Sequence, residues 1–164
     1  MKNNLSNDPS EYLQQHKENP VHWQTWSNET LDLAKKEKKP ILLSVGYASC
    51  HWCHVMAHES FEDSETAEIM NKNFINIKVD REERPDIDFV FQSSFQLFNQ
   101  SSGGWPLTMF LDENGVPFMA GTYFPKKEQH GLPSFQNVLK KISSVYKEQG
   151  DKIKNQADLI KKSL

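Results

Sequence analysis

The sequence predicts an α/β fold, a central mixed β-sheet flanked by helices. Three observations carry this expectation. Two short apolar runs, ILLSVG (41–46) and FINIKVD (74–80), are separated by helical patterning, as in a strand–helix–strand unit with parallel strands and a right-handed crossover. The later stretch LTMFLD-ENGV-PFMAGTY reads as a hairpin turning at Asn114-Gly115, and so adds antiparallel pairing. A helix with one apolar stripe (Phe135, Val138, Leu139, Ile142, Val145 and Tyr146) follows and can cover the sheet. The chain's 164 residues make one domain of ordinary size.

Taken in order, residues 1–18 are polar and read as a flexible N-terminal segment, with at most a helical turn near Tyr12 and Leu13. The main domain is expected over 19–150, opening with NPVHWQTW, which fits a short edge strand. Ser27 or Asn28 caps a helix that Pro40 ends. ILLSVG, apolar throughout, is a buried strand. After the loop 47–49, CHWCHVMAHESF starts a helix, and Ser64 caps a second helical stretch to Asn73. FINIKVD alternates apolar and polar residues, as a strand does. Pro85 sits at the start of a helix to about Asn99, where Ile87, Phe89, Phe91, Phe95 and Phe98 read as core. SSGGWP breaks the chain before the hairpin, Ser134 caps the last helix, and 151–164 form a Lys-rich helical tail.

Composition narrows the function classes. The 19 basic and 22 acidic residues give a net charge of −3, and only Arg81 and Arg84 are arginines, so nucleic acid is not an expected partner. No apolar run approaches the ~18 residues of a membrane span, and the N-terminus lacks the apolar region of a secretory signal. A cytoplasmic protein is expected.

The chemistry starts at Cys50 and Cys53. Residues three apart in a first helical turn are neighbours, so their sulfurs can close a small disulfide ring. The helix N-terminus favours a thiolate, which makes Cys50 the nucleophile. Cys53, one turn in, attacks back to release a mixed disulfide. His51 and His54 add positive charge or proton transfer beside the sulfurs, and Trp52 adds an apolar lip. Both strands of the parallel unit end on one sheet edge, so Asp80 opens beside the cysteines. It can relay protons there, or serve as a cap or an ion pair with Arg81 or Arg84. Trp105 and Pro106 stand directly before a strand, where a proline is unusual; a cis bond facing the cysteines accounts for it.

Other readings of the same residues remain open. The pair can be structural, or can sense redox state without turnover. Cys50, Cys53, His54 and His58 can serve as zinc ligands. CHWCH is formally a haem-attachment pattern, but that chemistry belongs to exported proteins. The redox reading needs no cofactor and takes a protein or small-molecule thiol or disulfide as substrate.

Four stretches, NPVHWQTW, LLSVGYASCHWCHVMAHESFED, INIKVDREERPDID and GGWPLTMFLDENGVPFMAGTYFP, resemble the N-terminal domain of the spermatogenesis-associated, thioredoxin-like proteins of bacteria and animals. The resemblance covers roughly Pro20 to Pro125. It implies a thioredoxin-like fold, with Cys50 and Cys53 as the redox pair and Pro106 as the cis-proline. It also implies a C-terminal α-helical barrel as partner, with 151–164 as the linker to it. Ordinary thioredoxins carry a buried acid six residues before the first cysteine, where this chain has Ser44; they carry Trp at Ser49 and Gly-Pro at His51-Trp52. These departures, with Trp105 narrowing the groove, count against general protein reductase activity. Because a thiolate stabilised at the helix N-terminus makes the disulfide more oxidising, the pair is expected to be a better oxidant or isomerase than reductant.

Overall fold

Strand β1 (Ile41–Gly46) is apolar on both faces because both are covered. It lies at the centre of a four-stranded sheet of order β2-β1-β3-β4. β2 (Ile75–Asp80) pairs with it in parallel, with Val45 opposite Val79; β3 (Leu107–Leu111) pairs antiparallel, with Val45 opposite Leu107. β4 (Pro117–Gly121) completes the hairpin. This is a thioredoxin-like fold. The structure, a computed structural model, describes residues 1–150 together with 152 and 153; most of the tail expected over 151–164 lies outside the described residues. Among the described residues, no helix is long and apolar enough to cross a membrane.

The helices form two layers. On one face, Leu42 and Phe110 of the sheet pack with α1 (Glu11–Gln14), α3 (His51–Met56), α4 (Ser64–Asn73) and α6 (Phe135–Glu148). On the other, Ile41, Leu43 and Val45 pack with α2 (Asn28–Glu37) and α5 (Pro85–Asn99). The alternation along β1 divides its side chains between the two layers. Ser27 caps α2 and Ser134 caps α6 through hydroxyls that accept backbone N–H bonds. Asp63, rather than Ser64, caps α4; its carboxylate takes both the amide and the hydroxyl of Thr66. Between α3 and α4 the chain runs through a π-helical turn, Ala57–Phe61.

The N-terminal segment differs most from expectation. Leu5, Tyr12 and Leu13 are buried in the first layer, and residues 1–18 pack onto the domain rather than hanging free. Their polar neighbours make this possible. Ser10 caps α1 and also donates to Asp80 at 2.7 Å, while the Gln14 amide donates to three backbone carbonyls of residues 5–8. The edge strand expected in NPVHWQTW is reduced to one parallel bridge, Gln24 to Ile77. Gln24 accepts from Lys78 and donates to Asn76 through its backbone, and so covers the free edge of β2.

One other expectation is corrected. Phe89 is 73% exposed on α5, with Val90 and Leu97 also exposed, so the aromatics of this helix are not all core. Beyond the end of α6, Ile153 is buried in the same cluster as the α6 stripe.

Candidate active site

Cys50 is the N-cap of α3, in extended conformation, and its Sγ accepts the N–H of Cys53 at 3.3 Å. A residue at this place meets the unpaired amides of a first helical turn, and the sulfur takes one of them. The two cysteines are joined as a disulfide with Cα atoms 5.3 Å apart. Cys50 is 4% exposed and Cys53 is 1% exposed. The loop before them is fixed by the Cys50 N–H donating to the Tyr47 carbonyl.

The sheet edge supplies the surroundings. The Trp105–Pro106 peptide is cis, and Pro106 stands one step beyond the Val45–Leu107 pair, beside the end of β1. The Arg81 guanidinium stacks on Trp105 at 4.1 Å from the ring centre and pairs with Asp88 at 3.3 Å. The Trp105 indole N–H donates to the same Asp88 carboxylate at 2.9 Å, and Gln92 donates to the Gly104 carbonyl at 3.1 Å. One buried carboxylate on α5 thus holds both the indole and the cation stacked on it. Arg81 and Asp88 were not legible as site residues in REERPDID, since charge in a turn ordinarily marks a solvated surface.

The other named residues divide. Trp52 is 52% exposed and leans on Tyr123 at 5.0 Å, with His51 against its other side at 5.3 Å. Burial and a hydrogen bond to Glu59 raise the Tyr123 phenol to about 12. His54 turns back, its Nε2–H donating to the Ala48 carbonyl at 2.6 Å. Asp80 pairs with neither arginine. It accepts from the Ser10 hydroxyl and from the Glu82 amide, which anchors the N-terminal segment and the turn after β2. The four residues of the zinc reading do not converge in this disulfide form. Among the described residues no three His, Cys, Asp or Glu side chains converge as a metal site, His58 points away to Glu62, and the two sulfurs are bonded to each other.

Beneath the disulfide lies a buried polar group that the sequence did not reveal. Lys78 and Ser44 are paired across β1 and β2, and Lys78 Nζ donates to Ser44 Oγ at 2.9 Å. The Lys78 ammonium also faces the rings of Tyr12, Trp23 and Phe61 at 5.2, 4.8 and 4.3 Å. Burial pushes it well below the ordinary lysine value, and the ring faces oppose that shift. Burial and the nearby Lys78 hold His16 at about 3. Its Nδ1–H donates to the Tyr12 carbonyl at 2.9 Å, which leaves Nε2 without a partner.

This lowered value fixes a sign for stability. Below pH 6.5 the unfolded chain takes up a proton on His16 that the folded chain refuses until about pH 3. Stability contributed by neutral His16 is complete above pH 6.5 and falls by about 1.4 kcal/mol per pH unit below it. Urea midpoints measured from pH 7 to pH 4.5 are expected to drop along this slope. In His16→Asn, whose amide can still donate to Tyr12, the drop should be much shallower; an unchanged slope would locate the acid sensitivity elsewhere.

Comparison with known proteins agrees with this architecture. An uncharacterised Caenorhabditis elegans protein is 46% identical over 161 residues, 98% of this chain but 22% of that protein. Rat spermatogenesis-associated protein 20 is 47% identical over 146 residues, 89% of this chain and 18% of its own length. The chain thus spans about a fifth of the curated relatives it matches. A solved structure described as DsbH oxidoreductase superposes with a TM-score of 0.56 at 20% identity, covering 79% of this chain and 86% of that one. The family model described as Thioredox_DsbH, protein of unknown function, DUF255, matches residues 2–164, and the chain belongs to that family.

Proposed function

We propose that this domain is a thiol–disulfide oxidoreductase in which Cys50 exchanges with the substrate and Cys53 resolves. The observation that carries the reading is the Cys50 sulfur at the N-cap of α3, accepting a backbone N–H and bonded to Cys53. A thiolate at that point keeps the amide as a charge-assisted donor. A substrate thiolate attacks Cys50 Sγ, and the electron pair of the broken bond leaves on Cys53 Sγ. In the oxidising direction a second substrate thiolate attacks the substrate sulfur of this mixed disulfide, which releases the substrate as a disulfide and leaves Cys50 and Cys53 as the dithiol. In the reverse direction the Cys50 thiolate attacks a substrate disulfide and expels one substrate thiolate. Cys53 then attacks Cys50 Sγ, re-forms the intramolecular bond and releases the second substrate thiolate. The description of the DsbH structure as an oxidoreductase supports the same class of chemistry.

Substrate enters beside the disulfide. A hollow of about 440 Å³ runs between Trp52 and Trp105, with Gly103, Gly104, Thr122 and Tyr123 in its walls. Cis Pro106 stands beside the end of β1, the strand that leads to the cysteines, and two indoles suit an extended segment carrying an aromatic side chain. His51 and His54 tune the sulfurs, Asp80 holds the turn beside them, and the pair works as an oxidant or isomerase in the cytoplasm. In a longer protein the domain would serve a C-terminal α-helical barrel.

A second reading, a redox-sensing module without turnover, draws on the 4% exposure of Cys50. Reduction of an aryl disulfide by glutathione separates the two. An oxidoreductase is expected to accelerate it through many turnovers; a sensor reacts once per molecule and stops. Single-turnover behaviour with every disulfide tried would overturn the enzymatic reading.

A further inference from the structure

Behind the disulfide, Tyr12 is wholly buried, yet its hydroxyl has no hydrogen-bond partner. An unpaired buried hydroxyl costs free energy and calls for an explanation. Its position offers one. Gly46, at the end of β1, has the Tyr12 hydroxyl and Cys53 Sγ on the same side. A Cβ placed there would lie 2.6 Å from Cys53 Sγ, 2.8 Å from Tyr12 Cζ and still closer to the hydroxyl. The phenol and the sulfur therefore flank one gap that only a glycine leaves open.

We propose that Tyr12 is a positioning residue for the resolving cysteine, its hydroxyl donating a hydrogen bond to Cys53 Sγ once the Cys50–Cys53 bond opens. This rests on the assignment of Cys53 as the resolving thiol. When an incoming thiolate bonds to Cys50, the S–S bond breaks and its electron pair departs on Cys53 Sγ. The new thiolate lies in a buried site and needs a donor. Tyr12 supplies the hydrogen bond and keeps its proton, since burial and the nearby Asp80 carboxylate raise the phenol well above its ordinary value. In the return step Cys53 Sγ gives up that bond, attacks Cys50 Sγ and expels the bound thiolate, which takes its proton from solvent.

The groups around the phenol fit the role. The Lys78 ammonium faces its ring at 5.2 Å and is held by Ser44, His16 packs edge-on at 4.8 Å, and Asp80 is occupied by Ser10. Ser44 stands where ordinary thioredoxins carry a buried acid. A carboxylate there would repel a second negative charge, whereas the phenol can donate a hydrogen bond to it.

Tyr12→Phe is the test, because it removes only the hydroxyl. The hydroxyl is unpaired in the disulfide form, so the thermal midpoint of the oxidised protein should stay the same or rise. The dithiol–disulfide equilibrium with glutathione should shift about 5- to 10-fold toward the disulfide, where tenfold corresponds to about 30 mV. In a Cys50→Ser background, the Cys53 alkylation profile should move to higher pH when Tyr12 becomes Phe. An equilibrium shift below twofold with an unmoved profile would overturn the proposal. Both readouts are equilibrium or single-reaction measurements, so absent turnover would count against the enzymatic reading while leaving this test intact. Faster alkylation of Cys53 than of Cys50 in the reduced protein would instead overturn the assignment of roles on which the proposal stands.

Discussion

Cys53→Ser protein offered a disulfide-bearing partner is expected to accumulate a mixed disulfide at Cys50, whereas Cys50→Ser should trap nothing and lose turnover. The loss should be on the order of 10³-fold or more, because the whole sequence of exchanges passes through that sulfur. The asymmetry follows from place. Cys50 is the N-cap and reaches the surface at 4% exposure, while Cys53 is one turn inward at 1%. An ordinary thiol titrates near 8.5, and thiols at helix N-termini fall into the range of about 3.5–7.5. Alkylation rate against pH, read for each cysteine alone, checks the order. A Cys53 that reacts faster than Cys50, or a Cys50 that titrates above 8.5, would reverse the roles.

Deleting residues 1–18 is expected to abolish the cooperative thermal transition. Leu5, Tyr12 and Leu13 are buried in the first layer, and each such side chain contributes about 1.5–3 kcal/mol on burial. Together with the Ser10–Asp80 hydrogen bond, that loss rivals the 5–15 kcal/mol that holds an ordinary domain together. The deletion also strips the cover from Lys78 and the disulfide's inner side. Circular dichroism on heating decides it: a midpoint within a few degrees of the full chain would show the segment to be dispensable.

What was legible in the sequence was what local pattern encodes. Strand β1 stood out as an apolar run between breakers, and the helix caps at Ser27 and Ser134 as hydroxyls before apolar periodicity. The strand–helix–strand unit placed the cysteines and the turn after β2 on one edge, and the fold is of that kind. β2 was legible as a strand from its alternation of apolar and polar residues. The burial of Asn76 and Lys78 was not, because it comes from the N-terminal segment covering that face. No periodicity announces such cover: Leu5, Tyr12 and Leu13 obey no single repeat, and their partners lie in other elements. The same holds for the site. CxxC and the proline were visible as motifs, whereas the contacts among Arg81, Asp88 and Trp105 join three separate elements. Tyr12 carries no motif of its own, because its place beside Cys53 depends on Gly46, 34 positions later.

Ser10 bonds to Asp80, 70 positions further along, and this distance sets an order of events during synthesis. Residues 1–18 leave the ribosome well before β2 and can dock only after it, since their site does not exist until β2 has been made. At roughly 5–20 residues per second, the segment waits several seconds for its partner strand. Its scattered apolar side chains, diluted by Asn, Ser and Gln, suit that wait, because a denser run would cling to other chains before β2 arrived. Closing so long a loop late also means that the inner wall of the disulfide site is assembled only after both cysteines and β2 have been made.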